Sequence, residues 1–290
     1  MSRGLATAIG FVAVLLWALL ALFTAASGSV PPLQLAAMTF AIGGVAGAAT
    51  WILRPTGWRA LAQPWPVWAL GIGGLFGYHF VYFSALRAAP AVEASLIAYL
   101  WPLLIVVLSA LAPGERLRRH HVIGALLGFA GAALIVTKGE GLRLDPAHAP
   151  GYAYALIAAL IWSSYSVLSR RFASVPTDVV TGFCLATAVL AGLSHLALEE
   201  TVWPGAASEW LAVLGLGLGP VGLAFYVWDI GVKRGDIQVL GAASYCAPLL
   251  STLVLVGLGF APLSWAVAGA CALITLGAVV AAKDMLFRAR

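Results

Sequence analysis

The residues of this chain that could do chemistry are mostly polar-tipped aromatics inside long apolar runs. Tyr78, His79 and Tyr82 are spaced three and four apart, so they share one stripe of a helix. Trp162, Tyr165, Ser166 and Ser169 likewise fall on one helical face. Trp17 and Trp101 lie, like Trp162, near the centres of their runs, where an indole N–H needs a partner. Cavity lining and plain helix packing both fit them. Tyr99 precedes Pro102, and Ser244 and Tyr245 precede Pro248. Each proline lacks the N–H owed to the carbonyl four residues back, leaving an acceptor at mid-depth. Such a carbonyl could receive a ligand's ammonium, or a serine or water could satisfy it. His79 is the ionisable side chain placed near mid-depth, where such groups are functional candidates by default. Contact with a carboxylate, proton exchange, and a neutral ring bonded to a backbone carbonyl all remain open for it.

Catalytic patterns are missing. The chain has no G-x-x-x-x-G-K-[ST], so it does not take energy directly from ATP through a P-loop. It has no H-E-x-x-H and no cysteine pair with zinc spacing. Cys184, Cys246 and Cys271 sit in apolar runs and read as packing residues. His120 and His121 stand in a basic loop that reads as solvated. No catalytic residue, metal or cofactor is expected. Glu93, Asp178, His195, Glu199, Glu200 and Asp229 lie near run ends and read as structural, with Asp229 able to pair with Lys233 one turn on.

The elements that must position these groups are membrane helices. The chain has 290 residues, 62% hydrophobic and 9% charged, with mean hydropathy +0.99. A soluble domain carries roughly 25% charged residues, so the solvent here is lipid. Ten apolar runs can be marked, at 5–27, 33–53, 67–88, 92–112, 121–138, 150–171, 177–198, 209–231, 236–258 and 264–285. In lipid each must satisfy its own backbone, which makes them helices. The first is too long for a signal-peptide core and is expected to be retained. Trp51, Trp58, Trp65, Trp68, Trp203, Trp210, Trp228 and Trp265 fall near run ends as an interfacial belt. The net charge of +5 reflects orientation, not nucleic-acid binding. With the N-terminus cytoplasmic, all the Lys and Arg except Arg87, Lys138 and Arg143 fall on the cytoplasmic side, Arg288 and Arg290 among them. Both termini are therefore expected inside.

The chain also echoes itself. Trp17 and Val30-Pro31 recur as Trp162 and Val175-Pro176 at an offset of 145 residues. Arg87, Tyr99 and Pro102-Leu103-Leu104 recur as Lys233, Tyr245 and Pro248-Leu249-Leu250 at an offset of 146. Two five-helix halves, 1–145 and 146–290, follow from this. Five is odd, so the second half enters from the opposite face. The fold expected is an all-α integral membrane protein of ten transmembrane helices in two inverted-topology repeats. Glycine pairs at Gly43/Gly47, Gly73/Gly77, Gly124/Gly128 and Gly215/Gly219 permit close helix packing. Gly77 with Pro102, and Pro220 and Gly222 with Pro248, stand at corresponding places and are the expected hinges or gates.

Topology, repeat and the motif Ala89-Pro90-Ala91-Val92-Glu93-Ala94-Ser95-Leu96, then Pro102-Leu103 and Gly114-Glu115, resemble the drug/metabolite transporter superfamily in its EamA-type branch. Within that branch the similarity is to bacterial aromatic amino-acid exporters. The second half departs from the motif, carrying Phe260-Ala261-Pro262 with no glutamate. The resemblance implies a secondary transporter in the bacterial inner membrane, not an enzyme. It implies amino acids as cargo and membrane lipid as the other partner; a monomer is compatible with the sequence, which does not fix the oligomeric state. Trp17, Tyr78, His79, Tyr82, Tyr99, Trp101, Trp162, Tyr165, Ser166, Ser244 and Tyr245 would line the substrate cavity. Export of drugs or other metabolites, and a membrane-embedded lipid enzyme, are the alternatives. The enzyme would need a buried acid/base pair.

Overall fold

The computed structural model describes residues 1–112, 114–259 and 262–284, and all regular structure among them is helical. Among these residues, nine helices are long and apolar enough to cross a membrane. They are α1 (Arg3–Ala26), α2 (Pro32–Ile52), α3 (Trp65–Ala88), α4 (Ala91–Leu111), α5 (Arg119–Val136), α6 (Pro146–Phe172), α7 (Val179–Leu198), α8 (Ala207–Arg234) and α9 (Ile237–Gly257). A shorter apolar helix, α10 (Trp265–Ala281), has 17 residues, at the lower end of the range needed to span. Phe260, Ala261, Arg288 and Arg290, which entered the motif and charge readings above, lie outside the described residues.

Four close pairs form, α1 on α8, α2 on α7, α3 on α6 and α5 on α10, and α4 lies against both α6 and α9. Small residues make the closest approaches. A Cβ on Gly10 would stand 2.7 Å from Gly231 Cα across α1 and α8, and one on Gly43 2.8 Å from Gly222 Cα across α2 and α8. In a membrane, such close packing replaces the hydrophobic drive that water supplies elsewhere.

Five helices are interrupted at mid-length, and the sequence accounts for most of the interruptions. α3 carries a π segment at Gly73–Gly77 and α8 one at Gly219–Leu223, with Gly73 and Gly219 146 residues apart. α4 breaks at Tyr99 and Leu100, and α9 at Ser244 and Tyr245. The breaks thus fall a few residues before Pro102 and Pro248, not at them. Each proline opens the helical piece that follows, Trp101–Leu108 or Cys246–Gly257. First-turn N–H groups have no helical partner, so a missing one costs nothing there. α1 is broken at Ala18 and Leu19, just after Trp17.

Candidate functional site

The interrupted helices converge on a knot of aromatic rings. Trp17, at the break in α1, lies 5.0 Å from Trp228, 5.8 Å from Trp162 and 6.0 Å from Trp101, centroid to centroid. The last three lie 6.1–6.3 Å from one another. Phe225 lies 5.7 Å from Trp162 and stacks on Phe40 at 5.4 Å. His79 meets Phe40 edge-on at 5.0 Å. Tyr78 lies 5.4 Å from Trp162 and stacks on Tyr82 at 5.8 Å, while Tyr165 lies 5.3 Å from Trp162. Tyr99 stands within electrostatic reach of Tyr78 and Tyr82. The break in α4 falls between Tyr99 and Trp101, so the regular-helix angle that would point them to nearly opposite sides does not apply there.

Four polar groups of this cage find partners in the protein. Trp17 Nε1 donates to the carbonyl of Pro220 at 3.1 Å, inside the π segment of α8. Trp228 Nε1 donates to Ser166 Oγ at 3.1 Å. Tyr82 and Ser95 hydroxyls bond at 3.1 Å. His79 Nδ1 lies 2.7 Å from the carbonyl of Leu75, an acceptor, so Nδ1 carries the proton and Nε2 is left for another partner. Trp101, Trp162, Tyr165 and Trp228 are buried, whereas Trp17, Tyr78, His79, Tyr82 and Tyr99 are half-buried and form the accessible side.

Two expected site residues lie elsewhere. Ser244 donates to Leu240 O at 2.7 Å, closing its own turn. The ring of Tyr245 packs against Gly128 and Phe129 of α5. Its hydroxyl enters the break in α4, donating to Tyr99 O at 3.1 Å and accepting from Leu103 N at 3.2 Å. Of the hinge positions, Pro220 serves through its carbonyl. Gly77 has open space: a Cβ added there would meet nothing nearer than Ile161 Cδ1, at 4.0 Å. Gly222, by contrast, is pressed against Gly43.

Three cage residues were not expected: Phe40, Phe225 and Trp228. Trp228 corrects the interfacial reading, because it is fully buried. Its apolar run ends at 231 by composition, but α8 continues to Arg234 with Val232 and Lys233 still buried. Asp229 and Lys233 make this possible by pairing at 2.9 Å, with side chains 2% and 5% exposed. His79 is therefore not the lone ionisable group in the interior. The remaining belt tryptophans divide: Trp58, Trp65, Trp203, Trp210 and Trp265 are exposed, whereas Trp51 bonds Asp178 and Trp68 packs on Phe183. His121 is also buried, its Nδ1 accepting from Arg118 N at the start of α5, and among the described residues no cluster could hold a metal.

Charged groups gather at the two ends. At the end bearing the N-terminus, Glu115 pairs with Arg3 at 2.8 Å and with Arg170, and Arg3 reaches Asp236 at 3.1 Å. Arg170 also donates to Val232 O and Gly235 O, closing the C-terminus of α8. At the opposite end Glu199 pairs with Arg87 and His195 and accepts from Leu33 N and Gln34 N at the start of α2.

Comparison with known proteins places this architecture. A curated relative, the aromatic amino acid exporter YddG of Ancylobacter novellus, is 60% identical over 97% of this chain and 98% of its own. YddG of Escherichia coli is 24% identical over 91% and 92%, and a probable terminal-alkyne amino-acid exporter of Streptantibioticus cattleyicolor 25% identical over 73% and 71%. A solved crystal structure 59% identical in sequence superposes with TM-score 0.94, covering 99% of both chains. The EamA-like transporter family matches twice, at residues 4–137 and 149–282. Matched over both stretches, this multi-pass membrane chain belongs to the EamA-like transporter family.

Proposed function

We propose that the chain exports neutral, chiefly aromatic, amino acids across the bacterial inner membrane. The observation that carries the reading is the four-tryptophan cage, with Tyr78, His79, Tyr82 and Tyr99 on its accessible side. Such a site offers ring faces and edges to an aromatic side chain. Nε2 of His79 and the tyrosine hydroxyls offer polar contacts to its head. Of the proteins to which the chain is similar, one is named an aromatic amino acid exporter and another a probable terminal-alkyne amino-acid exporter.

The mechanism we infer is alternating access between two inverted five-helix halves, 1–145 and 146–290. The two family matches, the π segments at matching positions and the pairing of α1 with α8 alongside that of α3 with α6 support it. With both termini cytoplasmic, the network at Arg3, Glu115, Arg170 and Asp236 closes the cytoplasmic end. The accessible half of α3, running from Tyr78 to Ala88, then leads outward. Pro102, Pro248 and the glycines at Gly77 and Gly222 sit where helices must bend, and the chain acts as a monomer in lipid.

The test is transport by purified protein in liposomes loaded with labelled tryptophan or threonine, with and without a pH gradient. Accumulation or efflux of tryptophan above empty liposomes is expected. No movement of any amino acid, with drugs or other metabolites moving instead, overturns the substrate class. A rate indifferent to the gradient removes proton exchange through His79.

A further inference from the structure

The cage contains no fixed opposite charges, yet an amino acid carries a carboxylate and an ammonium together. The interior does hold such charges one step away. Asp229 follows Trp228 in α8, and its carboxylate pairs with Lys233 Nζ at 2.9 Å. Each group has a second partner from the segment between α6 and α7. Thr177 Oγ1 donates to Asp229 Oδ2 at 2.7 Å, and Lys233 Nζ donates to Val175 O at 3.0 Å. Beside the pair lies a small cavity of about 10 Å³, roughly the size of one water, lined by Tyr165, Ser169, Asp229, Lys233 and six apolar residues. Tyr165 is 2% exposed, and its hydroxyl is buried with no hydrogen-bond partner among the described residues. Its ring belongs to the cage through Trp162. One side chain therefore joins the cage to the ion pair, with an unmet hydroxyl at the junction.

We propose that Asp229, Lys233 and Tyr165 form a second binding site, on the cytoplasmic side of the cage, for the zwitterionic head of an amino acid. The inference rests on the amino-acid export reading above. Opening a buried ion pair normally costs several kcal/mol, because each charge is left alone. A zwitterion avoids that cost by exchange: its ammonium takes the place of Lys233 at Asp229, and its carboxylate takes the place of Asp229 at Lys233. Thr177 and Val175 hold the two side chains apart while the exchange occurs, and the Tyr165 hydroxyl gains the partner it lacks. A drug or amine with only one charge leaves the opposite side chain unpaired. The pair therefore selects zwitterions on their way from the cytoplasm to the rings.

The test compares tryptophan with tryptamine, which lacks the carboxylate, and indole-3-propionate, which lacks the ammonium, as competitors of labelled tryptophan uptake in liposomes. Wild type should favour tryptophan by at least about tenfold over either, as polar sites do when one partner is missing. Lys233→Gln should lose its preference against tryptamine and Asp229→Asn against indole-3-propionate. Unchanged ratios in both overturn the site. Because removing one charge of a buried pair can prevent folding, two further variants decide independently. The double variant Asp229→Asn/Lys233→Gln leaves no lone charge, and a folded protein that keeps the full preference for tryptophan over both competitors would mark the pair as structural only. Tyr165→Phe removes a hydroxyl that has no partner, so it folds; it should weaken tryptophan competition several-fold, and unchanged competition overturns the site. Wild type that moves no amino acid would instead refute the export reading.

Discussion

Replacing Tyr245 with phenylalanine removes one oxygen atom and both hydrogen bonds that hold the break in α4. Leu103 N would lose its acceptor and Tyr99 O its donor, both in the interior. A buried group left unpaired costs about 1–3 kcal/mol, which sets an upper limit of about 6 kcal/mol for the two. The real loss is smaller, because Leu103 and Tyr99 are the i and i−4 partners of an ordinary helical turn. With the oxygen gone they can bond each other at the cost of pressing the Pro102 ring on the carbonyl of Ala98, and the same choice exists in the unfolded state, where α4 stands alone in lipid. Interhelical hydrogen bonds in membranes average about 0.6 kcal/mol for that reason. Two such bonds put the expected loss at about 1–2 kcal/mol. The cost of closing the turn is geometric: α4 straightens and turns Trp101 away from its place 6.0 Å from Trp17. Tyr245→Phe should therefore unfold earlier in a detergent titration by about 1–2 kcal/mol and transport tryptophan more slowly. Tyr99→Phe is the control for stability, since α4 uses the carbonyl of Tyr99 and not its hydroxyl at this joint. Unfolding within about 0.5 kcal/mol of wild type, with an unchanged rate, would refute the reasoning.

Trp228→Phe loses the bond to Ser166 and leaves a void among the four tryptophans, so stability should fall by about 1–3 kcal/mol and apparent affinity for tryptophan several-fold, read by thermal unfolding and uptake. Glu115→Gln removes the shared carboxylate between Arg3 and Arg170 while each arginine keeps another partner, so the fold should persist. A cysteine placed at Ser169, buried next to Arg170, in a cysteine-free background should then react faster with a thiol reagent, and an unchanged rate would show that Glu115 does not hold that end shut. Gly77→Leu and Gly222→Leu should differ. A Cβ at Gly222 meets Gly43 Cα at 3.2 Å, so yield of folded protein should collapse, whereas Gly77 has room. Gly77→Leu should fold and transport slowly, and full-speed transport would exclude bending at that π segment.

The features legible in the sequence are those that one helix carries by itself. Apolar length marks the spans, the glycines at 73–77 and 219–222 mark the π segments, and Pro102 and Pro248 mark the neighbourhood of two breaks. The stripe of Tyr78, His79 and Tyr82 is legible because its periodicity is internal to α3. What escapes depends on partners far along the chain. The hydroxyl of Tyr245 is committed to Tyr99, 146 residues away, and nothing local distinguishes it from a ligand-binding phenol. Phe40 and Phe225 look like any lipid-facing phenylalanine until α2 and α8 are brought together. Trp228 passes for an interfacial residue because Asp229 and Lys233 resemble an interface; paired, they behave inside the protein as a near-neutral unit. Their i,i+4 spacing is the available signal, and by itself it fits a solvated pair equally well.

This placement of charge bears on what keeps the N-terminal end shut. Arg3 is about half exposed, and the ion pairs it makes exchange for water when that end opens. Half-solvated pairs of this kind are worth about 0–1 kcal/mol each, so Arg3 aligns the helices more than it locks them, and the buried pair of Glu115 with Arg170 is the firmer part of the network. The larger resistance lies in packing that water cannot replace. α1 lies against α8 at Gly10 and Gly231 closely enough that neither glycine has room for a side chain, and Gly235 abuts Thr7 one turn further on. Separating those surfaces forfeits many weak contacts together, with no compensating hydrogen bonds. It also draws the C-terminal end of α8 away from α1, and with it Asp229 and Lys233, whose other partners lie between α6 and α7. Asp229 and Lys233 ride on α8 together, so that motion exposes the ion pair as a unit, and a zwitterion arriving then meets both charges side by side.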